Sequence, residues 1–203
     1  MTGEREPERR LVLVRHSTPA IVPGEPASRW RLSDEGRRRC TPLARRLATY
    51  GPAAIVASVE PKAAETAQLV AAHLAIPCEE AVGLHEHERD DIGWLPTREA
   101  FEAAVAGLFA RPGDFVLGRE TGAAARDRFA RAVAATLARH PGDNLVIVAH
   151  GTVISLFVAQ ATDTDPFALW RRLQRLGMPS LAVLSLPDSR LETVDGIVAP
   201  DET

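Results

Sequence analysis

Two histidines in this chain stand where an imidazole can do chemistry. His16 directly follows Arg15, at the end of the apolar run Leu11-Val12-Leu13-Val14. His150 precedes Gly151 and ends a second run, Leu145-Val146-Ile147-Val148-Ala149. Neutral imidazole is a nucleophile near neutral pH. The guanidinium of Arg15 is a planar fork that matches phosphate or carboxylate oxygens. Gly151 lets the backbone approach an anion closely, and a helix starting near Thr152 presents free N–H groups to it. Lys62 falls in the first turn of another helix, behind Pro61, and adds a cation at a similar place. Arg15, His16, Lys62 and His150 together describe an oxyanion site, weighed against incidental placement.

Such a site needs a scaffold that brings strand ends together. The runs Leu11–Val14 and Leu145–Ala149 have the pattern of strands buried on both faces of a parallel sheet. Ala54–Ala57 reads as another strand, Leu181–Leu186 as a fourth, and 192–198 as one more. Helices alternate with them. Ser33 caps one, with Asp34 and Glu35 in its first turn and an apolar stripe of Cys40, Leu43, Ala44 and Leu47. Pro61 opens the next, which carries Ala63, Ala67, Val70 and Leu74. Phe129, Val133 and Leu137 define a third, and helices over 152–160 and 166–173 follow.

Between His85 and Arg119 the pattern weakens. That stretch holds Trp94, Phe101, Phe109 and Phe115, a helix around 98–109, and breakers at Pro96 and Pro112-Gly113. It reads as a lid insert at 85–119, with its aromatics forming local core and Trp94 a candidate lining of the substrate pocket. The predicted fold is α/β: a three-layer α/β/α sandwich with a mostly parallel mixed sheet, in one domain spanning residues 1–203. Ligands bind such sheets beyond the carboxyl ends of the strands, where His16 and His150 both fall.

Composition removes several alternatives. The chain has 203 residues and a net charge of −3, which lacks the basic excess of a general nucleic-acid binder. Of its 24 lysines and arginines only Lys62 is a lysine. It follows Glu60-Pro61, so there is no Walker A loop, and the strand lysine of a kinase is missing as well. The two cysteines, Cys40 and Cys78, form no C-x-x-C and read as small buried apolar residues in a reducing compartment. The polar leader Met1–Arg10 is unlike a secretory signal, and the longest apolar runs are too short to span a membrane. These features point to the cytoplasm, with no membrane and no nucleic-acid partner. The run His85-Glu86-His87-Glu88-Arg89-Asp90-Asp91 has metal-ligand residue types, but its spacing is not H-E-x-x-H. A solvated charged loop is the plainer reading, and no metal is assigned.

Several motifs, taken in order along the chain, resemble the histidine phosphatase (phosphoglycerate mutase-like) superfamily. The family's strand followed by Arg-His-Gly is similar to Leu11 through Ser17, with Ser17 in place of the glycine. Leu32-Ser33-Asp34-Glu35-Gly36 matches its helix entry. The stretch from Ser58 to Ala67 resembles Ser-x-x-x-Arg-Ala-x-x-Thr-Ala, with Lys62 in place of the arginine. Leu84-His85-Glu86 resembles its Leu-x-Glu acid motif. Gly118 to Thr121 with Arg128 looks loosely like its Gly-Glu-Ser and downstream arginine, and Val146 to Gly151 matches its final Val-x-x-His-Gly.

The resemblance implies a metal-independent phosphatase needing no cofactor, acting on a small-molecule or protein phosphate ester. It implies His16 as the nucleophile that becomes a phosphohistidine, and Glu86 as the acid and then the base, with Glu88 its nearest competitor. Arg15, Lys62 and His150 are the implied phosphate-binding residues, and His150 is counted among the catalytic ones. The serine at position 17 could donate its hydroxyl to the phosphate. The alternatives are a catalytically weak phospho-ligand binding or regulatory protein of the same fold, and a phosphoglycerate-type phosphomutase.

Overall fold

The protein is described by a computed structural model over residues 9–93, 95 and 97–197. The leader before Arg9, Trp94, Pro96 and Val198 onward lie outside the described residues, and with them the expectation that Trp94 lines a pocket.

The described residues form a sheet of six strands: β1 (Arg9–Arg15), β2 (Ala54–Ser58), β3 (Cys78–Ala81), β4 (Leu145–Ala149), β5 (Ser180–Leu186) and β6 (Arg190–Gly196). They lie in the order β3-β2-β4-β1-β5-β6. The first four run parallel, and β5 and β6 continue the sheet antiparallel. Six α-helices are described: α1 (Asp34–Ala48), α2 (Pro61–Leu74), α3 (Arg98–Ala110), α4 (Gly122–Arg139), α5 (Gly151–Thr162) and α6 (Pro166–Leu176).

Strand periodicity sorts the apolar side chains into two layers. Leu11, Leu13, Leu145 and Ile147 face a core shared with α3, α4, α5 and α6. Val12, Val14, Val146 and Val148 face a second core under α1 and α2. Every residue of β2, β4 and β5 is buried, as expected for strands covered on both sides. The three-layer mixed sheet is therefore the one expected from the sequence.

The helix starts obey local chemistry. The Ser33 hydroxyl accepts from Gly36 N at 3.0 Å, and Pro61 and Pro166 occupy first-turn positions. A β-carbon at Gly36 would sit 2.1 Å from the Thr18 carbonyl oxygen, so only glycine lets α1 press against the loop after His16.

Three details differ from the sequence reading. β3 was not foreseen, because Cys-Glu-Glu-Ala is polar; it is an edge strand held by parallel pairing to β2. Cys78 lies on that edge and is exposed, whereas Cys40 is buried as expected. Phe101 and Phe109 do pack, the former 5.9 Å from Trp170 between ring centroids, but Phe115 is 73% exposed. No helix among the described residues is long and apolar enough to cross a membrane.

Candidate active site

β1 and β4 are neighbours in the sheet, yet the chain leaves them on opposite faces. β1 leads to α1 in one layer and β4 leads to α5 in the other. The gap at their carboxyl ends is the switch point where such sheets bind ligands. His16 and His150 stand there side by side, with ring centroids 5.2 Å apart.

The His16 ring is held in one orientation. Its Nδ1 lies 2.8 Å from the Ser17 carbonyl oxygen, which can only accept, so Nδ1 carries the proton and Nε2 keeps its lone pair. Burial pushes the His16 pKa well below 6.5, and the neighbouring His150 and the charges of Lys62 and Arg15 push the same way. His150 Nε2 lies 2.9 Å from Ser58 Oγ, and its Nδ1 is buried with no hydrogen-bond partner among the described residues. Burial, followed by Lys62, also pushes the His150 pKa well below 6.5.

The fold thus keeps both rings neutral, together with the buried His87, whose pKa burial lowers as well. The unfolded chain titrates these groups near 6.5 and binds more protons below that pH. Stability conferred by neutral histidines is therefore lost as the pH falls through 6.5 toward their lower folded values. The carboxylates with lowered pKa, among them Glu86 and Glu120, add their loss only below 4.5. We expect folding stability to fall between about pH 6.5 and about pH 5, by at most about 1.4 kcal/mol per pH unit for each histidine, and the melting temperature to fall with it. His16→Ala should make the drop shallower. A flat thermal profile across that window in scanning fluorimetry would contradict the assignment.

The cations are held by neighbours. Arg15 donates to the Leu173 carbonyl at 3.2 Å and to Gln174 Oε1 at 3.0 Å. Burial lowers its pKa to about 10. Its guanidinium lies against Gly151, where an added β-carbon would come 3.4 Å from Nε. Lys62 is 5% exposed, and its ammonium donates to the Ala27 carbonyl at 2.7 Å and to Glu60. The structure thus brings all four sequence-predicted residues of the oxyanion site to one end of the sheet, with Lys62 already paired.

Glu86 and Glu88 separate clearly. The Glu86 carboxylate accepts from the backbone N–H of His87, Thr152 and Val153 at 2.9, 3.1 and 3.2 Å, and Arg89 reaches it at 3.4 Å. His150, the residue before α5, makes no side-chain cap bond, so Glu86 serves as the anion at that helix start. Burial acts to raise its pKa, but Arg89, His150 and the backbone bonds outweigh it and hold it below the usual carboxylate range. Glu88 is 58% exposed at its side chain and faces His85.

The loosely matched Glu120 and Arg128 form a two-point ion pair at 2.9 and 2.7 Å. Arg128 also donates to the carbonyls of Gly83, His85 and Glu86, fixing the loop that carries Glu86. Ser17 departs from its expected use. Its hydroxyl is buried and donates to the Gly36 carbonyl at 2.7 Å, so it is spent on α1 and cannot serve a phosphate.

Two residues of the site escaped the sequence reading. Arg89 donates to Thr152 Oγ1 at 3.2 Å and lies over the Phe101 ring. Glu60 is buried beside Lys62 and His150. It stands two residues past β2, at the same end of the sheet as His16 and His150, but nothing in the local pattern turns its side chain inward. Among the described residues no group of three or more histidines, cysteines and carboxylates is placed to hold a metal.

Comparison with known proteins bears on the family and the fold. Residues 11–195 match the family model of the histidine phosphatase superfamily, branch 1. No curated protein sequence matches the chain. Among solved structures it is similar to a mycobacterial glucosyl-3-phosphoglycerate phosphatase complexed with VO3, at 25% identity and a TM-score of 0.72, covering 93% of this chain and 99% of that one. Two others bear on the fold alone. One is Mycobacterial hydrolase 2, at 24% identity and a TM-score of 0.76, covering 96% of this chain and 94% of the other. The second is a phosphoserine phosphatase from Entamoeba histolytica, at 17% identity and 0.71, with 93% and 97% covered. With the family match running from β1 to β6, this chain belongs to the histidine phosphatase superfamily.

Proposed function

We propose that the protein is a metal-independent phosphatase that hydrolyses a phosphate monoester, on a small molecule or a protein, through a phosphohistidine on His16. The observation that carries this reading is the His16 ring: neutral, buried, proton on Nδ1 and lone pair on Nε2. Nε2 attacks phosphorus and the ester P–O bond breaks. Arg15, His150 and Lys62 surround the phosphoryl oxygens as charge spreads over them. Glu86, ionised in the free site, takes up a proton from solvent when a phosphate dianion settles beside it and passes that proton to the leaving oxygen. Then, as a carboxylate again, it takes a proton from the water that attacks the phosphohistidine. The products are an alcohol and inorganic phosphate, with His16 restored and the proton on Glu86 returned to solvent.

The insert at 85–119 is the proposed lid over this crevice, and Arg128 tethers the carbonyls of His85 and Glu86 within it. Two unpaired cysteines suit a cytoplasmic enzyme. The paired state of Lys62 gives some weight to a second reading, a phospho-ligand binder with weak turnover. A panel of phosphate esters assayed with and without chelator distinguishes them. Phosphate release that survives chelation supports the enzyme. Binding of phosphorylated ligands with no release supports the binder.

A further inference from the structure

Resting on the phosphatase reading of the site, we propose that Glu60 and Lys62 form a buried, charge-neutral pair that sets how tightly the site holds phosphate, with Glu60 as the positioning residue. Glu60 stands at the residue before α2, where a side chain usually caps the helix, yet it makes no cap bond. Its carboxylate turns inward instead. One oxygen takes the Lys62 ammonium. The other accepts from Glu86 N at 2.7 Å and lies 3.5 Å from His150 Nε2. Glu60 therefore touches the lysine, the second histidine and the backbone of the candidate acid. Both members of the pair are almost fully buried, at 7% and 5% exposure.

Charge arithmetic gives the pair its effect. The cations of the site are Arg15, Lys62 and Arg89, and the carboxylates are Glu60 and Glu86. An incoming phosphate meets the Lys62 ammonium only together with the Glu60 carboxylate. The pair as a whole attracts the anion little, and either member alone acts strongly, because a buried charge stripped of its partner is uncompensated. Removing Lys62 alone leaves a bare carboxylate facing the phosphate. Removing the charge of Glu60 alone leaves a bare ammonium.

The test is binding of inorganic phosphate by calorimetry, which needs no turnover and so stands apart from the question of hydrolysis. Glu60→Gln keeps the side-chain volume and an acceptor for Glu86 N. It should bind phosphate at least about fivefold tighter than the unaltered protein, on the scale of about 1 kcal/mol. Lys62→Ala should bind at least about tenfold weaker. The double variant E60A/K62A, which also serves if Glu60→Gln folds poorly, should recover most of what Lys62→Ala loses. A Glu60 that merely supports the fold predicts the opposite signs. Unchanged or weaker binding in Glu60→Gln, or a double variant as weak as Lys62→Ala, overturns the proposal. Detectable phosphate binding in none of the proteins overturns it too. If these signs hold in a protein that hydrolyses no ester, the pair stands and the enzyme reading falls.

Discussion

His16→Ala is expected to lower kcat on an aryl phosphate such as p-nitrophenyl phosphate by at least about a thousandfold, with the fold retained. The reason is specific to this side chain. His16 supplies the lone pair that replaces the ester oxygen, and no neighbouring group can substitute for it. His150 has its Nε2 beside Ser58 and Glu60, and Lys62 is tied to Glu60 and Ala27. Retention of the fold follows from the placement of His16 after the last residue of β1. The chain at that point is fastened by backbone and side-chain bonds that alanine keeps: His16 N to the Ala149 carbonyl at 3.0 Å, and Ser17 N to Thr66 Oγ1 at 3.0 Å. The companion measurement is a phosphate-labelled, acid-labile and base-stable adduct in the unaltered protein, absent from His16→Ala. An adduct that persists in His16→Ala places the nucleophile elsewhere.

Much of the fold was legible because the strands announce themselves by burial. β4 is apolar throughout, and Leu145 to Val148 pair with apolar residues of both β1 and β2. Ser33, Pro61 and Pro166 mark helix starts by chemistry that acts within three or four residues, which is the range a sequence pattern reveals. β3 stayed hidden since its stability comes from β2 and not from its own side chains. The site divides along the same line. His16 and His150 were legible as residues at strand ends. The partners of Glu86 were not, because Thr152 N lies 66 residues away and is joined only by the fold. Glu60 and Arg89 owe their place to contacts of that kind. Lys62 was identified by its rarity, but what its ammonium does was set by a carboxylate two residues earlier that local pattern gave no reason to turn inward.

The charge state of Glu86 leads to the second large effect. Glu86→Gln should lower kcat on an alkyl phosphate, such as glycerol phosphate, by about a hundredfold to a thousandfold. An alkoxide is a poor leaving group and needs its proton during P–O cleavage, which an amide cannot supply. Nitrophenol is acidic enough for its anion to depart unprotonated, so the first step on the aryl ester needs no acid. The variant should release nitrophenol in a rapid burst of about one equivalent and then slow, because water still lacks a base to attack the phosphohistidine. Stability falls as well. The amide turns an N–H₂ toward one of the two α5 N–H groups that the carboxylate now satisfies, a lost cap on the order of 1–2 kcal/mol. That loss touches both substrates equally, so the contrast between alkyl and aryl esters isolates the proton. Equal loss on the two esters with no burst would leave Glu86 as the anchor of α5 and assign the proton to another group.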